Sequence, residues 1–142
     1  MTVSRFFKAV CIASMLSVLA ACDSYDSGVA APLGDKATLE KLAKAYRTVE
    51  ENQQLDSSPL TLVPEKRKKF IGMVFAESGY SYSATLHSLA QSLAGNKLNV
   101  IDQNTKDLAE LLLMPHRGAT SAMEDIYSAQ ELQDVRTIES KL

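Results

Sequence analysis

From Asp35 onward, apolar residues recur at steps of three and four along the chain. In the first such segment Leu39, Leu42, Tyr46 and Val49 form one stripe, which predicts a helix over about 36–53 with Asp35 as its N-cap. No segment alternates with a period of two for long enough to predict a strand. This spacing restricts the chain to an all-α fold, because each apolar stripe is buried by packing against other helices.

Four more segments follow the same rule and are separated by helix-ending residues. We expect helices from about Pro64 to the Gly79 stop, over about 82–94, over about 102–114, and from a capping-box pattern at Ser121 and Glu124 onward. The prediction is a small bundle of four or five antiparallel helices joined by short loops.

The N-terminal segment has a different pattern. Basic Arg5 and Lys8 precede an apolar run of about 9–19, which is too short to span a bilayer as a mature helix. The run ends in Leu19-Ala20-Ala21-Cys22, which resembles the lipobox of bacterial lipoproteins. The resemblance implies that residues 1–21 are a signal peptide that is removed and that Cys22 carries acyl chains.

Acylation at Cys22 implies a protein anchored to a membrane and facing the periplasm, since two or three acyl chains give a stable anchor. In enterobacterial lipoproteins an Asp after this Cys is associated with the inner membrane, so Asp23 favours the inner over the outer membrane. Residues 22–34 are small, polar and broken by Gly and Pro, which predicts a flexible tether. The helical domain is then expected over residues 35–142.

The charge balance of the mature chain argues against a nucleic-acid partner. Without Arg5 and Lys8 the chain keeps 13 basic residues against 17 acidic ones, a formal net charge of −4. This balance gives no support to a nucleic-acid partner. Cys11 and Cys22 are the two cysteines, so we expect no disulfide in the mature domain and stability that depends on packing.

One short stretch offers a catalytic hypothesis. The sequence Ala76-Glu77-Ser78-Gly79-Tyr80 resembles the Glu-Ser-Gly-aromatic step at the catalytic Glu of lytic transglycosylases of the goose-lysozyme-like type. That resemblance implies Glu77 as a general acid for glycoside cleavage. The family's Gly-Leu-Met-Gln run has no counterpart here. A Glu two residues before a C-terminal Gly is also typical of an exposed last turn, and we expect Glu77 to be such a residue.

Two groups of residues are candidates for contact with a membrane or a partner. Lys66, Arg67, Lys68 and Lys69 form the densest basic run, which suits anionic headgroups or an acidic protein, although a solvated helix face explains it equally simply. Tyr80 and Tyr82 are aromatic residues near a predicted corner between helices, where an exposed ring is typical of a contact surface.

Metal and cofactor chemistry have little support in the sequence. His87 and His116 are the two histidines, 29 positions apart, and no ligand motif surrounds them, so we expect neither a metal site nor a cofactor. We therefore expect a non-catalytic interaction or assembly factor that binds another envelope protein. The alternatives are a peptidoglycan-cleaving enzyme that uses Glu77, and an immunity or inhibitor lipoprotein directed against an envelope toxin.

Overall fold

A computed structural model of the 142-residue chain describes residues 28–55, 58–95, 101–118 and 122–142. These ranges contain five α-helices and no strand, which confirms the predicted all-α bundle. The helices are α1 (Lys36–Gln53), α2 (Pro64–Glu77), α3 (Tyr82–Ala94), α4 (Gln103–Leu113) and α5 (Ala129–Lys141). Short 3-10 turns occupy Pro59–Thr61, Met114–His116 and Met123–Asp125. None of the described helices is long and apolar enough to cross a membrane.

All five helices contribute to one hydrophobic core. α1 packs against α2, α5 packs against α3, and α4 contacts both α1 and α3. The central side chains are the apolar residues at the three- and four-residue spacing, among them Leu42, Phe70, Phe75, Leu86, Leu89, Leu108, Leu112, Val135 and Ile138. The period seen in the sequence thus marks the core-facing side of each helix.

Side-chain caps set the starts of four of the five described helices, and α2 begins instead with Pro64 at its first position. Asp35 accepts a hydrogen bond from the backbone N–H of Ala37 at 3.3 Å and from the Thr38 hydroxyl at 2.9 Å, as expected for the N-cap of α1. Asp102 caps α4 through the backbone N–H of Thr105 at 2.8 Å. Hydrogen bonds from the Thr105 backbone and side chain lower the pKa of Asp102 below its ordinary value.

The predicted start of the last helix is wrong. α5 begins at Ala129 and is capped by Ser128, whose hydroxyl accepts from the Glu131 N–H at 3.2 Å, while the Glu131 carboxylate accepts from the Ser128 N–H at 2.9 Å. Glu124 lies in a separate 3-10 turn, and Ser121 lies outside the described residues. Two capping-box patterns stand seven residues apart, and the second one begins the helix.

The N-terminal arm, residues 28–34, packs against the bundle instead of extending as a tether. Val29 forms a parallel bridge with Tyr80, and its carbonyl accepts from the Ser81 N–H at 2.8 Å. Ala31 is buried and donates its N–H to the Thr85 hydroxyl at 2.9 Å. The packed part of the chain therefore reaches back to Gly28, ahead of the expected boundary at Asp35. Residues 1–27, which include the predicted signal peptide and Cys22, lie outside the described residues.

Candidate functional site

A surface groove runs along the seam between α1 and α2. It consists of two shallow depressions of about 300 and 320 Å³ that share Gln53 and Met73 as lining residues. We call this surface the α1–α2 groove, and its lining residues are Val49, Asn52, Gln53, Leu55, Leu62, Lys66, Lys69, Phe70, Met73, Ala76 and Glu77. Its position follows from the packing of α1 on α2.

The α2 wall of the groove is a single stripe of side chains. Lys66, Lys69, Met73, Ala76 and Glu77 are spaced by three, four, three and one residues, so they follow one face of the helix. With a rise of about 1.5 Å per residue, the stripe is about 16 Å long. It has two cations at one end, an apolar middle and one carboxylate at the other end.

Exposed apolar side chains lie near the cationic end. Leu60 and Val63 are 53% and 55% exposed, and both lie in the segment that leads into α2. They are two of the four large apolar side chains found exposed within the described residues, and they flank Leu62, which lines the groove. Exposed apolar side chains beside a concave surface are typical of a contact site.

The basic run divides between the surface and the interior. Lys66 and Lys69 are exposed in the groove, but Arg67 is only 5% exposed. The Arg67 guanidinium donates to the carbonyls of Met114 at 3.1 Å, Arg117 at 2.8 Å and Leu62 at 3.2 Å. Arg67 is therefore not a contact residue, because successive residues of a helix point about 100° apart and this one points inward.

Lys68 is engaged inside the bundle as well. Its ammonium group pairs with the Glu131 carboxylate, which also accepts from the Ser83 hydroxyl at 2.7 Å and from the Ser128 N–H. Burial acts to raise the pKa of Glu131, but the bonds from Lys68, Ser128 and Ser83 outweigh it and lower that pKa below its ordinary value. Lys68 thus joins α2 to α3 and α5, and the contact surface retains Lys66 and Lys69.

The predicted aromatic contact residues are covered to different degrees. Tyr82 is 2% exposed, packs edge-on against Phe75 and donates its hydroxyl to the Leu112 carbonyl at 2.6 Å. This excludes Tyr82 from a surface site. Tyr80 is half-buried, pairs with Val29 of the arm, and has the Lys41 ammonium group 5.1 Å from its ring centroid.

Glu77 is the exposed last residue of α2, as expected from the Gly79 stop. It lies at the shallow end of the groove beside Asn52 and Ala76. A general acid for glycoside cleavage works from an apolar pocket close to a second carboxylate. Among the described residues that line the groove, Glu77 is the one carboxylate.

The two histidines lie in separate polar clusters at α5. His87 Nδ1 lies 3.2 Å from both carboxylate oxygens of Asp134. His116 lies between the Tyr127 hydroxyl and Glu139, each at 2.8 Å. Burial raises the pKa of Tyr127 above its ordinary value. The described residues contain no group of three or more His, Cys, Asp or Glu that could hold a metal ion.

Several groove residues were missed by sequence reasoning. Met73 and Gln53 line both depressions, and Leu60 and Val63 lie exposed in the segment that contains Leu62, a lining residue of one depression. For Met73 the sequence does contain a signal, because a residue four positions after Lys69 lies on the same face of the helix as Lys69. The exposed Leu60 and Val63 carry no such signal, because an apolar residue in a loop is compatible with either burial or exposure.

Three comparisons with known proteins found no match: no family model, no curated protein and no solved structure resembles the chain. The geometry of the groove is therefore the basis for a functional conclusion.

Proposed function

We propose that this chain is a lipid-anchored, periplasm-facing lipoprotein that acts as a non-catalytic interaction or assembly factor of an envelope protein complex. The observation that supports the proposal is the α1–α2 groove, with its apolar middle, its charged ends and the exposed Leu60 and Val63 beside it. Such a combination fits a protein partner, because interfaces pair an apolar centre with a polar rim.

The spacing of the charged groups favours binding over catalysis. Lys69 and Glu77 are eight residues apart on α2, about 12 Å along the helix axis, and Lys66 is farther away. Groups that act on one scissile bond lie within hydrogen-bond reach of it, about 3 Å. The three titratable side chains of the groove are therefore placed to contact separate parts of an extended partner.

The N-terminal arm relates the proposed lipid anchor to the groove. Gly28 lies against Gly79 and Tyr80, at the C-terminal end of α2. Five residues lie between Cys22 and Gly28, so the acylated Cys22 would lie within about 20 Å of that end. Lys66 and Lys69 lie toward the opposite end of α2, which leaves the cationic end of the groove accessible to a partner away from the anchor. Asp23 favours the inner membrane for that anchor.

In-cell cross-linking followed by affinity purification of the tagged full chain tests the proposal. The groove variant is Lys66→Glu with Lys69→Glu, and the matched control is Lys44→Glu with Lys106→Glu, two exposed lysines outside the groove. Both variants change the net charge by the same amount. We expect one envelope protein to be enriched with the wild type and the control and to be lost with the groove variant.

The same experiment includes Cys22→Ser, which removes the acylation site. This form should leave the membrane fraction and recover less of the partner. Equal recovery of the partner by the groove variant and the control would contradict a role for the groove. Enrichment of nothing above background would contradict the interaction function itself.

The position of Glu77 in the groove keeps one enzymatic alternative testable. If the chain is a peptidoglycan-cleaving enzyme, wild-type protein releases muropeptides from purified cell wall and Glu77→Gln releases none. We expect no release from either protein, because Glu77 is exposed and lies in a shallow depression.

A further inference from the structure

We propose that the α1–α2 groove binds one linear segment of the partner protein whose two ends carry opposite charges. Acidic residues of that segment lie against Lys66 and Lys69, large apolar side chains lie over Met73, and basic residues lie against Glu77. This inference rests on the interaction function proposed above and adds the chemistry and the orientation of the bound segment.

The charges of the groove are available to a partner. Within the described ranges Lys66, Lys69 and Glu77 are exposed, and none of them forms an ion pair there. By contrast, the neighbouring Lys68 and Arg67 are bound to groups of the bundle itself. The groove thus presents two positive charges at one end and one negative charge at the other, which discriminates between the two orientations of a segment with opposite charges at its ends.

The middle of the groove accepts apolar side chains. Met73 lines both depressions, and its unbranched thioether adapts to side chains of different shape. Val49 and Phe70 form a buried apolar floor, and the Gln53 amide lies 4.0 Å from the Met73 sulfur. Volumes of about 300 and 320 Å³ are at the lower limit of small-molecule pockets, and both depressions are shallow, so each holds one or two side chains.

The length of the charged stripe sets the length of the segment. About 16 Å separates Lys66 from Glu77 along α2, which equals three turns of helix or about five residues of extended chain. A segment that contacts both ends at once therefore has its acidic and basic residues about eleven positions apart if helical, and about five apart if extended.

The shape and charge of the groove favour a protein segment over a bilayer surface. The groove is concave and Phe70 at its floor is only 2% exposed, so a flat bilayer contacts the rim, whereas a protruding side chain enters the depression. Glu77 would face anionic headgroups if the whole groove lay on the membrane, and like charges repel. A membrane would contact only the cationic end of the groove, whereas a protein segment contacts both charged ends and the apolar middle.

Site-specific photo-cross-linking in living cells tests the orientation. A photoreactive amino acid is placed in the full-length chain at Leu62, beside the two lysines, or at Ala76, beside Glu77, and each adduct is mapped by mass spectrometry. Both positions should label the same partner segment. We expect the Leu62 adduct next to acidic residues and the Ala76 adduct next to basic residues.

Charge-reversal variants provide the second readout. Lys66→Glu with Lys69→Glu, and separately Glu77→Lys, should each lower the yield of both adducts about fivefold or more, since each reversal replaces attraction by repulsion. The variant with Lys44→Glu and Lys106→Glu should leave the yields unchanged. All five positions are exposed, so none of these changes buries a charge.

Several outcomes would overturn the inference. Adducts to lipid would assign the groove to the membrane, and adducts to a second copy of this chain would assign it to self-association. Adducts to two unrelated partner segments, or to residues of one charge sign, would contradict the orientation. If the wild-type chain recovers a partner by affinity purification but neither position yields an adduct, the inference fails and the interaction function stands. If no partner is recovered, the interaction function fails too.

Discussion

At the scale of single residues, Arg67 shows how a cation is accommodated inside this small bundle. Its three acceptors are main-chain carbonyls, two of them at residues 114 and 117 just after α4. Carbonyls at the end of a helix carry partial negative charge, so they stabilise a cation without a carboxylate. The guanidinium thereby ties the start of α2 to the end of α4.

We predict that Arg67→Met destabilises the protein by about 3 kcal/mol, because it removes a buried charged donor and leaves its acceptors unsatisfied. Lys66→Met, one residue earlier and exposed, should change the free energy of unfolding by less than about 0.5 kcal/mol. Urea unfolding followed by circular dichroism measures both values. Similar losses for the two variants would show that Arg67 does not have this structural role.

At this scale the sequence was informative only about the type of residue. Four consecutive cations look alike in the sequence, yet two line the groove, one pairs with Glu131 and one is buried. Tyr80 and Tyr82 looked similar too, and one of them is buried. The difference comes from acceptors distant in the chain, such as the carbonyls of Leu112 and Met114, which local patterns do not indicate.

At the scale of secondary-structure elements, the N-terminal arm extends the packed domain. Its composition predicted a flexible tether, because small polar residues bury little apolar surface. The structure instead attaches residues 28–34 by the bond from the Ser81 N–H to the Val29 carbonyl, by the bond from the Ala31 N–H to the Thr85 hydroxyl, and by burial of the small Ala31 side chain. Small residues suit this role, since they let the arm lie close to the start of α3.

We predict that Gly28→Ala loosens the arm. Gly28 has φ +120°, and an added Cβ would lie 3.3 Å from the Gly79 carbonyl oxygen and from the Tyr80 carbonyl carbon. Backbone strain of this kind costs about 1–3 kcal/mol, so hydrogen exchange at the Ala31 amide should accelerate about tenfold or more. Hydrogen exchange followed by mass spectrometry or NMR measures the rate.

The matched control is Gly118→Ala. Gly118 also has a positive φ, +68°, but its Cβ would meet no atom within 4 Å. This variant should leave exchange at Ala31 unchanged. Unchanged exchange in Gly28→Ala would mean that the arm tolerates the side chain and is not held at this point.

Helix boundaries follow from local rules where one start signal is present, either a side-chain cap or a Pro at the first helical position. α1, α2, α3 and α4 begin within one residue of their predicted starts, beside Asp35, Pro64, Ser81 and Asp102. α5 was predicted to start too early, because Ser121 and Ser128 both begin a capping-box sequence pattern. The helix begins after Ser128 because the Glu131 carboxylate, which completes that capping box, is also bound by Lys68 and Ser83 from other helices.

At the scale of the whole molecule, one core and the Glu131 cluster join the helices. The cluster connects α2, α3 and α5 through Lys68, Ser83 and the α5 cap. Because the pKa of Glu131 is lowered in the folded state, its stabilising contribution is complete above the ordinary glutamate pKa of 4.5 that applies to the unfolded chain. That contribution is lost as the pH falls through the folded-state pKa.

We therefore predict that the free energy of unfolding falls on acidification below about pH 4.5, where carboxyl groups take up protons. Glu131→Gln should lower stability at pH 7 and weaken this dependence, so that the wild type and the variant converge at low pH. Urea unfolding at a series of pH values measures both curves, and a single shared core predicts one cooperative transition. A constant difference between the two proteins at every pH would contradict the role of the Glu131 charge.

The sequence alone determined the all-α class, the apolar face of each helix and four of the five helix starts, because periodicity and capping act over three or four residues. The sequence also contains a stretch that resembles a lipobox, and the acylation of Cys22 that it implies remains a prediction. The tertiary structure decided which charges are buried, that residues 28–34 pack on the bundle, and where the groove lies. These features depend on residues far apart in the chain, such as Arg67 with Arg117 and Ala31 with Thr85, which only the packed fold brings together.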